Sequence, residues 1–373
     1  MRRFYIHNFR CLENFELPLK GLASVLLIGK NGSGKSTIGA ALEVLQKIAR
    51  GTNRVGELLK PQDLTRGRTD VPVRFEVEVE LAAKIYNYAL AFELPDGFRE
   101  LRVAEERLSV DGRPVFTREI AEVRLAKTGK ETEARFSIDW HLVALPIVQH
   151  RSESDPIFIF RRWLATMLIL RPIPSAVDGY SESETLEPDP GVANLGAWFS
   201  GVLLSGGLSA STKILQYLRE VMPDLENIQN DEVGRDHRSL VAQFSNGPRR
   251  MTLPFEALSD GEKCFMIYAL VIAANHAYGP LQCFWDEPDN FLAPSEVAPS
   301  VLALRQAFLN KGQLIVTSHS PETIRSFSDE ATLVLSRHSH LEPTIARSVE
   351  DLRANGELTG DLVDAVARGD VAA

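Results

Sequence analysis

The sequence of 373 residues predicts an α/β fold that carries a separate antiparallel β lobe. Near the N-terminus, a glycine-rich loop lies between a strand-like run and a helical run. A long stretch after it alternates apolar and polar residues, and strand-like and helical runs alternate again in the last third. Such alternation of strands and helices is typical of a largely parallel sheet covered by helices.

The N-terminal part of the pattern is a strand, a loop and a helix. The segment SVLLIG, residues 24–29, is rich in leucine and β-branched side chains, which predicts a buried strand. After the loop, apolar residues recur at helical spacing from Ile38 to Ala49, and Gly51 is placed to end the helix. We therefore predict that residues 1–70 form the N-terminal part of the main lobe.

In the next segment, apolar and polar residues alternate as in the strands of a sheet that has one solvent-exposed face. VRFEVEVEL, residues 73–81, puts apolar side chains on one face and charged ones on the other, and YNYALAFEL, residues 86–94, alternates as well. Asp111 and Gly112 form a typical turn between two strand-like pieces. These patterns predict an antiparallel β lobe over residues 71–138.

Residues 139–247 are predicted to form an inserted helical subdomain. STKILQYLREVMPDL, residues 211–225, has the spacing of an amphipathic helix that ends at Met222, before Pro223. The Pro-, Ser- and Glu-rich stretch at residues 171–191 predicts a long loop. No heptad array that would encode a coiled-coil arm is present in the sequence.

Strand and helix patterns return in residues 248–340, the predicted C-terminal part of the main lobe. GEKCFMIYALVIAANHA predicts a buried helix, and LQCFW, QLIVT and ATLVL predict buried strands. The final residues, 341–373, are predicted to form a short tail helix.

Residues 29–36 match the pattern G-x-x-x-x-G-K-S, and the strand before it and the helix after it support a phosphate site. Glycines let backbone N–H groups converge on phosphates, the lysine adds positive charge, and the serine hydroxyl can ligate Mg²⁺. The dipole of the following helix also favours an anion. The predicted nucleotide-binding residues here are Gly29, Asn31, Gly32, Ser33, Gly34, Lys35, Ser36 and Thr37.

Three further motifs bear polar residues at the predicted ends of buried elements. In LQCFWDEPDN we assign Asp286 to a metal ion and Glu287 to the attacking water, because carboxylates at a strand end can do both. In LSDGEK, Ser259 begins a helix and could bind an anion, although Ser259 and Glu262 also fit a plain capping box. His319 follows QLIVT and, taken alone, is more typical of a surface histidine.

The motifs GKNGSGKST, LSDGEK, CFWDEPDNF and TSHS occur in the order found in ABC-type ATPases, which are P-loop NTPases. The opening FYIHNFRCLENFELPLKGLASVLLIGKNGSGKST resembles the branch that contains the RecF, SMC and OLD families. It is most similar to single-chain AAA family ATPases of bacterial anti-phage systems. The resemblance covers roughly residues 1–50 and 250–340.

The resemblance implies roles for individual residues. Ser259 and Gly261 would contact the γ-phosphate of ATP bound to a second protomer, so that two ATP molecules join a head-to-tail homodimer. Glu287 would be the catalytic base, and His319 would be the switch histidine that touches the γ-phosphate. Lys35, whose charge faces the β- and γ-phosphates, completes the predicted catalytic residues. The implied metal ligands are Ser36, Asp286 and Gln149, the last as the candidate Q-loop glutamine.

Three further residues are compared with the family pattern. Asp289 would lie in the loop that couples the two sites, and Arg10 matches an arginine near the nucleotide. Asp260 departs from the pattern, because many relatives have glycine there.

Composition limits the functional classes. The net charge of −9 argues against a general nucleic-acid coat, although the first 37 residues carry six basic side chains against two acidic ones. The three cysteines lack the spacing of zinc or redox sites. With no secretory signal pattern and no apolar run of about 20 residues, we expect a cytoplasmic protein without membrane partners.

Three functions follow as hypotheses, all with ATP and Mg²⁺ as cofactors. In the first, ATP gates a dimer switch that controls a separate effector, a nuclease or toxin, in anti-phage defence. After Glu287 the sequence has no acidic cluster suited to a nuclease domain of its own. The alternative is a RecF-like DNA-repair clamp, with DNA as the partner. A transporter ATPase subunit is disfavoured by the β-rich segment and the long separation of Lys35 from Ser259.

Overall fold

The computed structural model describes residues 1–126, 134–368 and 371. Residues 127–133 of the predicted β lobe, and residues 369–370 and 372–373 of the predicted tail, lie outside the described residues. The chain divides into two compact units. The first contains Met1–Leu22, Leu27–Met167 and Thr332–Ala373, and the second contains Ala23–Leu26 and Leu168–Ala331.

Strands and helices alternate along the chain. The strands are β1 (Arg3–His7), β2 (Phe15–Pro18), β3 (Ser24–Ile28), β4 (Val73–Leu81), β5 (Lys84–Glu93), β6 (Arg102–Val110), β7 (Arg113–Glu119), β8 (Glu122–Leu125), β9 (Ala134–Ser137), β10 (Leu168–Leu170), β11 (Tyr180–Ser181), β12 (Leu225–Val233), β13 (His237–Asn246), β14 (Arg249–Pro254), β15 (Gln282–Asp286), β16 (Gln313–Thr317), β17 (Thr332–Ser336) and β18 (Ile345–Ser348). The helices are α1 (Lys35–Ala49), α2 (Val55–Leu58), α3 (Pro156–Ala165), α4 (Leu195–Val221), α5 (Asp260–Tyr278), α6 (Pro294–Phe308), α7 (Pro321–Arg325), α8 (Val349–Ala354) and α9 (Leu362–Arg368).

The first unit is built on an eight-stranded antiparallel sheet in the order β2-β1-β4-β5-β6-β7-β8-β9. In β4, Val73, Phe75, Val77 and Val79 are buried while the charged residues between them are half-buried or exposed, as the alternation predicts. Strands β1 and β2 also belong to this sheet, since β1 pairs antiparallel with β4. The sequence pattern had assigned them to the main lobe, because pairing with a strand some 70 residues away leaves no local signal.

The C-terminal part of the first unit differs from the predicted single tail helix. Strand β18 pairs antiparallel with β17, and α8 and α9 follow it. Gly356 and Gly360 both have positive φ, at 74° and 85°, and lie between the two helices. Glycines in this conformation interrupt a helix, so the single-helix prediction is wrong.

The second unit contains a parallel arrangement of β10, β15 and β16. Strand β10 pairs in parallel with β15, and β15 pairs in parallel with β16. Nearly every residue of these strands is buried, as expected for a sheet covered on both faces. Helix α5 is buried along most of its length, in agreement with its apolar sequence.

The segment predicted as helical, residues 139–247, is only partly so. It contains α3 and α4, and α4 includes the amphipathic stretch that was predicted as a helix. Strands β12 and β13 follow as an antiparallel pair, extended by β14 on one side and β11 on the other. Strand β12, LENIQNDEV, is mostly polar and half-exposed, so it lacks the apolar alternation by which a strand is recognised.

None of the helices within residues 1–126 and 134–368 is long and apolar enough to cross a membrane.

A buried ion pair lies inside the antiparallel sheet. Glu106 of β6 and Arg118 of β7 are directly opposite each other, their side chains are fully buried, and the carboxylate and guanidinium are 3.7 Å apart. Glu106 also accepts hydrogen bonds from the Tyr88 hydroxyl and from the backbone N–H groups of Ala144 and Leu145. Burial raises the pKa of Glu106, while these donors and Arg118 oppose that rise.

Glu106→Ala is expected to destabilise the protein by about 3–5 kcal/mol, because it leaves the guanidinium of Arg118 buried without its anion. The measurement is the free energy of unfolding in urea. The control is Glu105→Ala, since the neighbouring Glu105 forms a partly exposed ion pair with Arg74. That change should cost at most about 1 kcal/mol. Equal losses for the two variants would contradict this account.

Candidate active site

The glycine-rich loop between β3 and α1 has a backbone that other residues cannot adopt easily. Gly29, Gly32 and Gly34 have φ values of 153°, 81° and 100°. A Cβ atom on Gly29 would clash with the carbonyl oxygen of Leu335, and one on Gly34 would lie 3.0 Å from the sulfur of Cys11. Gly29 and Gly34 are therefore favoured by sterics as well as by backbone conformation, and Gly32 by its backbone conformation.

The loop also has the charge and donors that a phosphate needs. The Nζ atom of Lys35 donates to the carbonyl oxygens of Gly29, at 2.7 Å, and Lys30, at 3.3 Å, so its ammonium lies against the loop backbone. Helix α1 begins at Lys35 and has no side-chain cap, because the residue before it is Gly34. The dipole of a helix favours an anion at such an N-terminus. Within the described residues, the buried Ser33 hydroxyl has no hydrogen-bond partner. These features fit a bound phosphate group.

The remaining residues of the loop are accessible. Asn31, Gly32 and Ser36 are exposed, and Thr37 is half-buried, with the thiol of Cys11 donating to its hydroxyl at 3.6 Å. An exposed serine hydroxyl at this point is a suitable ligand for Mg²⁺. Arg10, the residue before Cys11, forms an ion pair with Asp63, with 2.9 Å between the charged atoms. Its role near a nucleotide stays a prediction.

In the second unit, one hydroxyl at the end of β16 hydrogen-bonds to both acidic residues at the end of β15, to the carboxylate of the first and to the backbone of the second. The register pairs Asp286 with Thr317. The Thr317 hydroxyl donates to Oδ1 of Asp286 at 2.5 Å and accepts the backbone N–H of Glu287 at 3.0 Å. Thr317 is fully buried, whereas Asp286 and Glu287 are half-buried. Thr317 belongs to the motif TSHS, but its role depends on the register between β15 and β16, which the motif alone does not show.

Glu287 has a strained backbone and an oriented side chain. Its φ of 52° is uncommon for a residue with a Cβ atom, and such strain tends to occur at functional sites. Its Oε1 atom lies 3.5 Å from Nε2 of His319, and Oε2 accepts a hydrogen bond from Asn290 at 2.7 Å. The side chains of Glu287 and His319 are 36% and 42% exposed, so a water molecule can reach both.

Asp289 connects the loop after β15 to the segment that carries His319. Its Oδ2 atom accepts hydrogen bonds from the hydroxyls of Ser318, at 2.5 Å, and Thr323, at 3.1 Å. Its Oδ1 atom is buried and has no partner among the described residues. Asp289 therefore fixes the position of Ser318 and, through the chain, of the adjacent His319.

Ser259 has the geometry of a capping box. Its hydroxyl accepts the backbone N–H of Glu262 at 3.3 Å, and the Glu262 carboxylate accepts the backbone N–H of Ser259 at 2.7 Å. Ser259 and Asp260 are exposed at the start of the 19-residue helix α5, and Gly261 lies against the backbone oxygen of Phe291. The role of Ser259 and Gly261 toward a second protomer stays a prediction.

Gln149, the candidate Q-loop glutamine, is an exposed residue of the first unit. It belongs to the first unit and is exposed at a cavity of about 370 Å³, lined also by Pro114, Leu125, Arg151 and Asp155. None of the glycine-loop residues lines this cavity. Its role as a metal ligand stays a prediction.

A comparison with models of protein families shows the family of this chain. A family model described as "AAA domain, putative AbiEii toxin, Type IV TA system" matches residues 24–325, which is most of the chain. The chain belongs to this AAA domain family. A comparison of this AAA domain with curated proteins finds no match.

The AAA domain also resembles solved structures of SMC heads. An Smc head bound to the C-winged helix domain of ScpA matches with a TM-score of 0.57 and 15% identity, over 95% of this chain and 99% of that one. The Pyrococcus furiosus Smc head, bound to the C-terminal domain of ScpA, gives 0.54 and 14%, over 95% and 98%. The SMC head from Thermotoga maritima gives 0.47 and 13%, over 93% and 98%. The predicted fold class is confirmed: this is a P-loop ATPase fold of the SMC-head type.

Thr317→Val is expected to lower the free energy of unfolding and to disturb the candidate active site, since it leaves the half-buried N–H of Glu287 without an acceptor. The loss should be about 1–3 kcal/mol. The measurement is urea unfolding, together with ATP turnover. Thr317→Ser is the matched control, because serine keeps the hydroxyl. If valine is tolerated as well as serine in both assays, the bridge does not hold Glu287.

Proposed function

We propose that this chain binds ATP with Mg²⁺ and hydrolyses it to ADP and phosphate. The observation that carries the proposal is the arrangement of Glu287, whose carboxylate is oriented by Asn290 and lies 3.5 Å from His319 at the end of a buried strand. A carboxylate in this position can accept a proton from water. Membership of the AAA domain family supports ATP as the nucleotide.

The other residues divide the work of binding. Lys35 and the N–H groups of the glycine loop would bind the β- and γ-phosphates, and Ser36 and Asp286 would hold Mg²⁺. Bound Mg²⁺ would neutralise phosphate charge and favour attack at the γ-phosphorus. Glu287 would take the proton of the attacking water, and His319 would donate a hydrogen bond to the γ-phosphate.

We further propose that ATP joins two copies of the chain in a head-to-tail dimer. Ser259 supports this step, because its exposed hydroxyl lies at the N-terminus of α5, where backbone N–H groups favour an anion. In the dimer, Ser259 and Gly261 of one copy would contact the γ-phosphate bound to the glycine loop of the other. Hydrolysis would remove this contact and open the dimer, so that the nucleotide acts as a switch.

The switch is proposed to control a separate effector in anti-phage defence. The family description names a toxin and a type IV TA system, which supports action together with a second component. The similar Smc head structures contain a bound domain of ScpA, which supports partner docking on this fold. Cytoplasmic location is part of the same proposal.

Glu287→Gln is expected to form a stable dimer in Mg-ATP, because the amide cannot accept a proton from water while ATP binding is retained. Light scattering should give twice the chain mass of 41.4 kDa with Mg-ATP and the single mass without it. ATP turnover should fall by at least about 10²-fold. If this variant still binds ATP but its mass does not change when ATP is added, the proposed dimer switch is wrong.

Two further variants separate the causes. Glu330→Gln makes the same chemical change at an exposed residue of the second unit, and it should behave like the wild type. Glu287→Gln combined with Ser259→Arg should bind ATP but stay a monomer, since the larger side chain blocks the surface that meets the second copy. A dimer in this double variant would show that Ser259 does not lie in the interface.

A further inference from the structure

Three parallel strands bring their carboxyl ends to one edge of the second unit. The register places Leu170 of β10 beside Trp285 of β15, and Trp285 beside Val316 of β16. The residues that follow these three in the sequence are Arg171, Asp286 and Thr317. Glu287 comes directly after Asp286, and His319 comes two residues after Thr317. Ligands of open α/β sheets bind at such carboxyl ends.

Arg171 shares a cavity with both carboxylates. The cavity has a volume of about 150 Å³, and its lining includes Arg171, Asp286, Glu287, Asn290 and Phe291. Among the described residues that line it, Arg171 is the only one with a permanent positive charge. A guanidinium beside two acidic groups balances their charge and is suited to bind a phosphate in a bidentate way.

The backbone holds Arg171 at this place from both sides. Its N–H donates to the carbonyl oxygen of Pro190 at 2.6 Å, and the N–H of Ile173 donates to Gly191 at 3.1 Å. Pro172 follows directly and restricts the conformation of Arg171 to extended backbone. Because β10 precedes it and Pro172 follows, the direction in which the side chain leaves the backbone is set by the fold.

We propose that Arg171 is a catalytic residue whose guanidinium binds the γ-phosphate during hydrolysis, and this rests on the proposed ATPase function. The oxygen of water forms a bond to the γ-phosphorus, and its proton passes to Glu287. The bond from the γ-phosphorus to the bridging oxygen breaks, so ADP leaves with that electron pair and inorganic phosphate forms. Arg171 binds the equatorial oxygens while charge is redistributed, as arginines do in other phosphoryl transfers.

The role proposed for Arg171 differs from the one that the resemblance implies for Gln149, the candidate Q-loop glutamine and metal ligand. A glutamine can ligate Mg²⁺ through its amide oxygen, whereas a guanidinium has no lone pair to offer. Arg171 therefore acts on the phosphate rather than on the metal ion. A purely structural role, in which Arg171 only neutralises Asp286 and Glu287, predicts different behaviour toward a transition-state mimic.

The test compares Arg171→Ala and Arg171→Lys with the wild type in ATP turnover and in binding of ADP with aluminium fluoride, which mimics the phosphoryl group in transfer. We expect Arg171→Ala to lower kcat by about 10²-fold or more, a loss typical of one missing charge-stabilising donor. KM and binding of a fluorescent ADP analogue should change little. Aluminium fluoride trapping should be lost, and Arg171→Lys should recover part of the rate.

Chemical rescue and a matched control complete the experiment. Millimolar guanidinium should raise the turnover of Arg171→Ala but not that of Arg235→Ala, which removes an exposed arginine from the turn between β12 and β13. If both Arg171 variants hydrolyse ATP and trap aluminium fluoride like the wild type, the proposal is overturned and the ATPase function stands. If the wild type neither binds nor hydrolyses ATP, the proposed function and the role of Arg171 fall together.

Discussion

The hydrogen-bonded register between β15 and β16 is the constraint on which the candidate active site depends. It places Thr317 opposite Asp286, and one buried hydroxyl then orients a carboxylate and the backbone of the next residue. A shift of the register by one residue would turn these side chains to the opposite face of the sheet. The apolar packing of the two strands therefore determines the geometry of the polar groups at their ends.

The two halves of the proposed chemistry are held by different physical means. The glycine loop depends on the absence of side chains, because a Cβ atom at Gly29 would meet the backbone of Leu335 in β17. The edge in the second unit depends on two hydrogen bonds, from the Thr317 hydroxyl to Asp286 and from the Ser318 hydroxyl to Asp289, and both donor residues are buried. The first arrangement presents backbone donors to an anion, and the second presents acceptors to a proton and a metal ion.

The parts of the site that the sequence could predict are local. The glycine loop, the acidic pair Asp286 and Glu287, and the strands and helices around them follow from patterns within about ten residues of each motif. Thr317 and Arg171 escaped notice because their importance comes from register with a distant strand. The same reason explains why β1 and β2 were not assigned to the antiparallel sheet.

Other features were hidden because the residue types suggest something else. From their residue types, Glu106 and Arg118 would be predicted to lie on the solvent-exposed face of their strands, yet their side chains are fully buried and paired. Strand β12 carries few apolar residues, so its pairing could not be recognised from periodicity. Whether Gln149 or Ser259 acts on nucleotide depends on where other groups lie when ATP is bound, which no local pattern encodes.

The left-handed backbone of Glu287 has a consequence for how the sequence can change. A residue with a Cβ atom in this conformation costs about 1 kcal/mol or more, and glycine or asparagine would adopt it at lower cost. Selection for folding alone would therefore favour the loss of this glutamate. If Glu287 has the proposed catalytic role, a chain that keeps it has a less stable fold but retains ATP hydrolysis, and an inactive relative is expected to carry glycine or asparagine at residue 287.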